Sequence, residues 1–447
     1  MPDLHGSGIL LANMGMGLPS FLWGVATSAY QVEGAPDNDW TEWEGLERLK
    51  VRGTRCGRGS GHLERWRSDF GLLPTLGVNA YRYSLERSRL EPRPGEFCED
   101  ALAVERERAA TLLRLGIEPC VTLNHYTHPR WFWERGGWED PGCIEGFRRF
   151  TEAAADALGP RVKLWVTLNE PVVLLLGGYL GGEIPPGKRG FRAAARAFEH
   201  MLRAHAEAAA AIRERVPDAQ IGIAHNMLEF APERAGHILD RRLARVADRL
   251  YNTALLEAIA TGDLAWSFPG EGRMRARIPE LPAANDYVGV NYYSRVHIRF
   301  RGRRGAIGEY AYRDPNGRGL TDTGWEVHAH GFDVVLRKAA LVGKPVLVTE
   351  NGIATGDDRR RCDFLREHLA VLAHRRAAGT PITGYFYWSL LDNFEWLEGF
   401  RPRFGLFEVD YSTFARRRRP SADVFAAMGR WFTGEGAAGE PFAASRT

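Results

Sequence analysis

The apolar positions of this chain cluster into short runs, not continuous stretches. They read FLWGVATS (21–28), NAYRYSLE (79–86), EPCVTLNH (118–125), KLWVTLNE (163–170), QIGIAHN (220–226), DYVGVNYY (286–293), PVLVTENG (345–352) and ITGYFYWS (382–389). Between them lie stretches with apolar residues at helical spacing, at 99–116, 145–158, 191–215, 240–260 and 362–378. Strand-length runs alternating with helices predict βαβ units and a parallel sheet. The runs are apolar throughout instead of alternating, as expected of strands covered by helices on both faces.

Eight such units are the number that closes a barrel. The expected fold class is therefore α/β: a single (β/α)8 TIM barrel with elaborated βα loops, one domain over 1–447 with loosely held termini at 1–18 and 433–447. A doubly wound open sheet is the alternative. It calls for a glycine-rich phosphate loop after the first strand, and GVATSAYQVEG contains no G-x-G-x-x-G. The run ends favour the barrel: Arg82, His125, Asn169 with Glu170, Asn226, Asn291 with Tyr293, Glu350 and Trp388 all sit there. In a barrel those ends converge on one mouth, where sites are built.

Composition narrows the function. With 44% hydrophobic and 11% aromatic residues in a chain of 447, a large core is expected and disorder is not. A formal charge of +3 gives no reason to expect a nucleic-acid or membrane partner. Arg far outnumbers Lys, so RRRR (416–419) reads as a solvated surface loop and not as a binding patch. DPNG (314–317) reads as a hairpin turn on a loop insertion. Cys56, Cys98, Cys120, Cys143 and Cys362 are scattered, with no C-x-x-C pair, and look like reduced thiols. No apolar run approaches the ~20 residues of a membrane span, and GILLANMGMGL (8–18) lacks the flanks of a signal peptide. The expected location is cytoplasmic.

Glu170 closes the fourth run and Glu350 the seventh, so a barrel would set them facing each other across its mouth. Either alone is as easily a salt bridge or a cap. As a pair, each flanked by Asn on a strand end, they suit glycoside hydrolysis, where one carboxyl protonates the leaving oxygen and the other attacks or activates water. Sugars present apolar ring faces and hydroxyl rims, and SLLDNFEW (389–396) with Trp388 supplies both aromatic platforms and polar partners.

TLNEP (167–171) and VTENG (348–352) resemble the two signature segments of glycoside hydrolase family 1, the β-glucosidase family. The resemblance runs over nearly the whole chain, through FLWGVATSAYQVEG (21–34), LGVNAYRYS (76–84), GVNYYS (289–294), GYFYWSLLDNFEW (384–396) and RFGLFEVDY (403–411). It implies a retaining β-glycosidase, most simply a β-glucosidase, with Glu350 as nucleophile and Glu170 as general acid/base. It further implies Arg82 and Tyr293 beside Glu350, favouring its ionised form, and Asn291 hydrogen-bonded near the pair. Gln31, His125, Asn169 and Glu395 would bind sugar hydroxyls, with Trp388 beneath the ring, Trp396 beside it, and Trp325 and Phe404 completing the substrate site. No metal or cofactor is implied. The expected partners are small β-glycosides or short oligosaccharides.

The chain departs from the family pattern at Arg87 (usually Trp), at Thr127 (often Asp) and at Ala329 and His330 (usually Pro and Glu). Arg87 is expected to be a packing position, and His128 a hydrogen-bonded loop residue rather than a metal ligand. A 6-phospho-β-glycosidase is disfavoured because Glu395 would repel phosphate. A non-catalytic sugar-binding relative is disfavoured because both glutamates are present.

Overall fold

A computed structural model describes residues 20–35, 37–46, 55–268, 270–303 and 306–434. The termini expected to be loosely held lie outside the described residues, apart from 433 and 434. All eight apolar runs form strands: β1 Leu22–Ala26, β2 Ala80–Ser84, β3 Glu118–Asn124, β4 Leu164–Asn169, β5 Gln220–Pro232, β6 Tyr287–Arg303, β7 Val346–Asn351 and β8 Ile382–Trp388. Each pairs in parallel with its neighbours in chain order, and β8 pairs with β1 to close the ring. This is the (β/α)8 barrel, and the open doubly wound sheet is excluded by that closure.

The uniform hydrophobicity of the runs has the expected cause. Leu22, Ala26, Ala80, Leu164, Val166, Ala224, Leu347 and Phe386 form a buried cluster, while Trp23, Val25, Tyr81, Val121 and Trp165 bury themselves in the larger core. Gly24 is required on β1 because a Cβ there would lie 2.5 Å from the Phe386 ring.

Two of the connecting segments are π-helical, Leu175–Gly181 and Arg249–Thr253. The second splits the expected 240–260 helix into Ile238–Asp248 and Ala254–Thr261. Strand β6 overshoots the barrel and folds back on Ala306–Ala311. That is the hairpin of the loop insertion. Asp314–Gly317 is a tight turn beyond it, closed by Gly317 N–H donating to Asp314 O at 3.3 Å, and not the hairpin turn itself.

The Arg-rich patch also differs from expectation. Arg416–Arg418 pairs with Phe407–Val409 as a small antiparallel sheet. Arg416 is bonded to Asp69 at 2.8 Å, and Arg419 clamps Asp392 through two bonds of 2.9 and 2.8 Å. These buried carboxylates need cationic partners, which turns a would-be solvated loop into a brace. Asp392 in turn accepts from Gly405 N–H at 2.9 Å, pinning the base of the loop that carries Glu395 and Trp396.

Candidate active site

Strand register assembles the site at the carboxyl ends of the barrel. Asn291 is the register partner of Asn226 on β5 and of Glu350 on β7, while Ala26 is flanked by Trp388 and Arg82. Both strands that deliver a glutamate are irregular just before it. The pairing of β4 with β5 shifts between Val166 and Asn169, and that of β7 with β6 between Val348 and Glu350. A bulge of this kind re-aims the next side chain.

Glu170 follows β4 in a left-handed conformation (φ 49°), and its N–H still donates to Ala224 O at 2.7 Å. Pro171 then takes the first position of the short helix Pro171–Leu174, where its missing N–H costs nothing. Four described non-glycine residues have positive φ, and three of them, Tyr126, Glu170 and Trp396, line the same cavity. Each such conformation costs about 1–3 kcal/mol and persists only where packing imposes it.

That cavity has a volume of about 520 Å3, in the range of small-molecule sites. Gln31, His125, Asn169, Glu170, Tyr293, Trp325, Glu350, Trp388, Glu395 and Trp396 all line it. Arg82 and Asn291 stand behind the carboxylates and touch them. Phe404 does not line the cavity: it is buried beneath Trp325 and Tyr293, with ring centroids at 6.4 and 6.0 Å. Its place in the site is corrected accordingly, because the loop turns its ring inward to support two aromatic residues that do face the cavity.

The two carboxylates have different surroundings. Arg82 Nη1 donates to Glu350 Oε1 at 2.7 Å and the Tyr293 hydroxyl to Oε2 at 2.5 Å. Glu170 makes no ion pair among the described residues. Its Oε1 accepts from Asn291 at 2.7 Å and Asn226 at 3.0 Å, and its Oε2 from the Tyr126 hydroxyl. Burial and the adjacent carboxylates hold the Tyr126 and Tyr293 phenols far above their ordinary range, so both remain donors.

Burial pushes Glu350 up to about 7; Arg82 opposes the shift, Glu170 adds to it, and the bonds from Tyr293 and Arg82 lower it again. Arg82 and Tyr293 do favour the ionised form, as expected, but desolvation outweighs them. Glu395 is pushed up to about 8, first by burial and then by Glu350 and Glu170. Carboxyl groups this close titrate as a set and not one by one.

The remaining polar residues form a fixed scaffold. Gln31 accepts from Ser28 at 2.7 Å and donates to Phe394 O at 2.9 Å and to Glu395 Oε2 at 3.2 Å. Asn169 Oδ1 accepts from Arg82 at 2.6 Å, which leaves its amide facing His125 Nε2 at 3.2 Å. His125 Nε2 must then be the acceptor, and Nδ1 carries the hydrogen. That Nδ1 is buried with no partner among the described residues. Burial, reinforced by Arg82, keeps His125 neutral by holding it well below the usual imidazole range.

Trp396 packs on Trp40 and Tyr30 at 4.6 and 5.9 Å, and Trp325 on Tyr293 at 5.5 Å. The departures from the family pattern lie outside this cavity. Arg87 is buried, bonded to Glu91 at 2.7 Å and stacked over Trp131 at 5.0 Å. Thr127 donates to Glu86 at 2.9 Å. His128 accepts from Trp138 at 2.8 Å and faces Asp39 at 3.2 Å, which makes it the hydrogen-bonded loop residue expected. Among the described residues no cluster suited to a metal ion occurs.

Sequence reasoning missed Tyr126, Tyr251, Trp40 and the tyrosines of the hairpin. Tyr126 stands between His125 and Thr127 and could have been found as an aromatic at a strand end. Tyr251, whose hydroxyl donates to Asn226 at 2.7 Å, sits inside the π-helical turn and left no signal in the helical periodicity.

The family model described as glycosyl hydrolase family 1 matches residues 18–431. Among curated relatives, β-glucosidase A of Thermotoga maritima is 36% identical, covering 88% of this chain and 93% of its own. A 1,4-β-D-glucan glucohydrolase of Thermotoga neapolitana is 34% identical, over 88% of this chain and 97% of its own. Among solved structures, a β-glycosidase from Pyrococcus horikoshii superposes with a TM-score of 0.85 at 38% identity, covering 93% of this chain and 96% of that one.

Proposed function

The chain belongs to glycosyl hydrolase family 1, a family of glycoside hydrolases, and we propose that it is a retaining β-glucosidase with Glu350 as nucleophile and Glu170 as acid/base. The observation that carries the assignment is the asymmetry of the two buried carboxylates. Glu350 has a guanidinium at 2.7 Å and is the one equipped to react as an anion. Among the described residues Glu170 has neutral partners only and no fixed counter-charge, the arrangement an acid/base residue calls for.

In the first step a Glu350 oxygen bonds to the anomeric carbon as the bond from that carbon to the aglycone oxygen breaks, and the leaving oxygen takes the Glu170 proton. In the second, Glu170 takes a proton from water, the water oxygen bonds to the anomeric carbon, and the ester to Glu350 breaks. Two inversions give net retention. Gln31, Glu395, His125 and Asn169 hold the hydroxyl rim, and Trp388 and Trp396 meet the ring. Arg82 and Asn291 act through the groups they hold and are positioning residues.

The rim around Glu395 supports an unmodified sugar over a 6-phosphosugar, since no Arg or Lys among the described lining residues is there to hold a phosphate. The β-glucosidase and glucan glucohydrolase names of the relatives support glucose. We read the chain as a single catalytic domain needing no metal or cofactor. Its five cysteines are free thiols, which supports a reducing, cytoplasmic setting. Among the described residues no helix is long and apolar enough to cross a membrane.

The test is a panel of 4-nitrophenyl β-glucoside, β-galactoside, β-fucoside and 6-phospho-β-glucoside. The glucoside is expected to give the highest kcat/KM. Preference for the phosphorylated sugar, or turnover of none, overturns the reading.

A further inference from the structure

A second cavity, of about 670 Å3, shares a wall with the active site. Glu183, Leu228, Tyr251, Tyr310 and Tyr312 line both. Beyond that wall the lining turns apolar. Val296 and Ile298 of the β6 extension are buried there in a cluster with Phe230 and Leu243, and Val246, Ala247 and Leu250 add aliphatic surface. Both π-helical segments contribute to it, and π-helical turns recur at functional sites.

Its position matters as much as its chemistry. Gln31, Trp388 and Glu395 mark the end of the active site near β1 and β8. Leu228 belongs to β5, on the opposite side of an eight-strand ring. The acid/base residue points the same way: Glu170 is held by Asn226 of β5, and Asn226 is held by Tyr251, which is itself part of the shared wall. The second cavity therefore opens on the Glu170 and Asn226 side of the active site, away from Gln31 and Glu395.

The lining also selects. Among the described residues that line it none is Arg or Lys, and Glu183, Glu271 and Glu309 supply its charged groups, so the lining offers an anionic tail no cation. Aliphatic side chains offer no partners for a file of sugar hydroxyls. We propose that this cavity binds the aglycone, and that it takes an uncharged apolar chain, making β-glycosides of long-chain alcohols favoured substrates. The proposal rests on the β-glucosidase reading and adds the aglycone class to it.

The test is a series of methyl, butyl, hexyl and octyl β-D-glucosides, each below its micelle concentration. Burying a methylene contributes about 0.8 kcal/mol, which is roughly a fourfold change in binding. KM is expected to fall roughly two- to fourfold per methylene from butyl to octyl, with kcat little changed, as uniform binding requires. A KM that is flat beyond butyl overturns the proposal and leaves the glucosidase reading intact. Calorimetry with octyl β-D-glucoside on the inactive Glu350→Gln background reads the cavity independently of turnover. Adding Ala247→Phe, which fills it, is expected to weaken that binding at least tenfold; equal binding with and without Ala247→Phe overturns the proposal. Should Ala247→Phe fail to fold, Leu243→Gln serves in the same comparison.

Discussion

Arg82 reaches Glu350 at 2.7 Å with both side chains buried, and with its other terminal nitrogen it holds Asn169 at 2.6 Å. One guanidinium thus opposes the burial-driven rise of one active-site carboxyl and fixes the position of another group. Its Nε donates to Thr122 at 3.1 Å, so every nitrogen of the fork is engaged. Replacing Arg82 by Met strands a buried carboxylate, a defect that costs about 3–5 kcal/mol when ion-pair partners are removed singly. We expect kcat/KM to fall by roughly 100-fold or more, and the acid limb of the pH profile to move upward. The sign is set by the removal of the cation that opposes the burial-raised pKa of Glu350. A variant with an unmoved limb would show that Arg82 acts by position alone.

Exchanging Glu350 for Ala removes the attacking oxygen and leaves room for a small anion. Turnover is expected to vanish and to return with azide, yielding the glycosyl azide of inverted configuration. Glu170→Ala with azide should yield the retained product, and should harm substrates with poor leaving groups far more than activated aryl glycosides. Product stereochemistry by NMR reads both; an inverted azide from Glu170→Ala with a retained one from Glu350→Ala would exchange the two roles.

Tyr126 donates to Glu170 from a strained backbone position (φ 69°). Tyr126→Phe keeps the ring and deletes the donor. The expected loss is roughly 10- to 100-fold in kcat for alkyl glucosides, in line with about 1.5–3 kcal/mol for a hydrogen bond to a charged group. Activated aryl glucosides should lose much less, since they need no proton. Equal losses on both substrates would reduce Tyr126 to a packing residue.

Glu350 and Glu395, at about 7 and about 8, lie above the ordinary carboxyl range. Between that range and about 8 the folded protein binds more protons at these groups than the unfolded chain does. Their contribution to stability is therefore present at low pH and lost as pH rises through the window. Glu395→Gln removes one of them. The difference in Tm, variant minus wild type, is expected to grow from pH 5 to pH 8 by thermal denaturation. A difference constant with pH would mean that Glu395 is ionised throughout.

Gly352 lies two residues after Glu350, and a Cβ there would sit 1.9 Å from the carbonyl oxygen of Trp388. Backbone cannot yield as a flexible side chain does. Gly352→Ala should cost about 1–3 kcal/mol in urea unfolding, and should raise KM by shifting Trp388. Wild-type stability and KM in the variant would contradict the close approach.

The sequence by itself determined the barrel, because helices cover the outer face of every strand and force a run of apolar residues that no open loop would show. It also placed Glu170 and Glu350 at strand ends, since charged groups in such runs fall where the strand leaves the core and opens on a cavity. It did not reveal Tyr251, hidden in a π-turn whose periodicity mimics an α-helix, or the inward turn of Phe404. Nor could it show where the glutamates point. The bulges before them and the left-handed turn at Glu170 arise from pairing with β5, β6 and β8, strands separated from them by whole helices and loops. Side-chain direction along a strand alternates every residue, so one bulge reverses it, and only the tertiary pairing decides where a bulge falls.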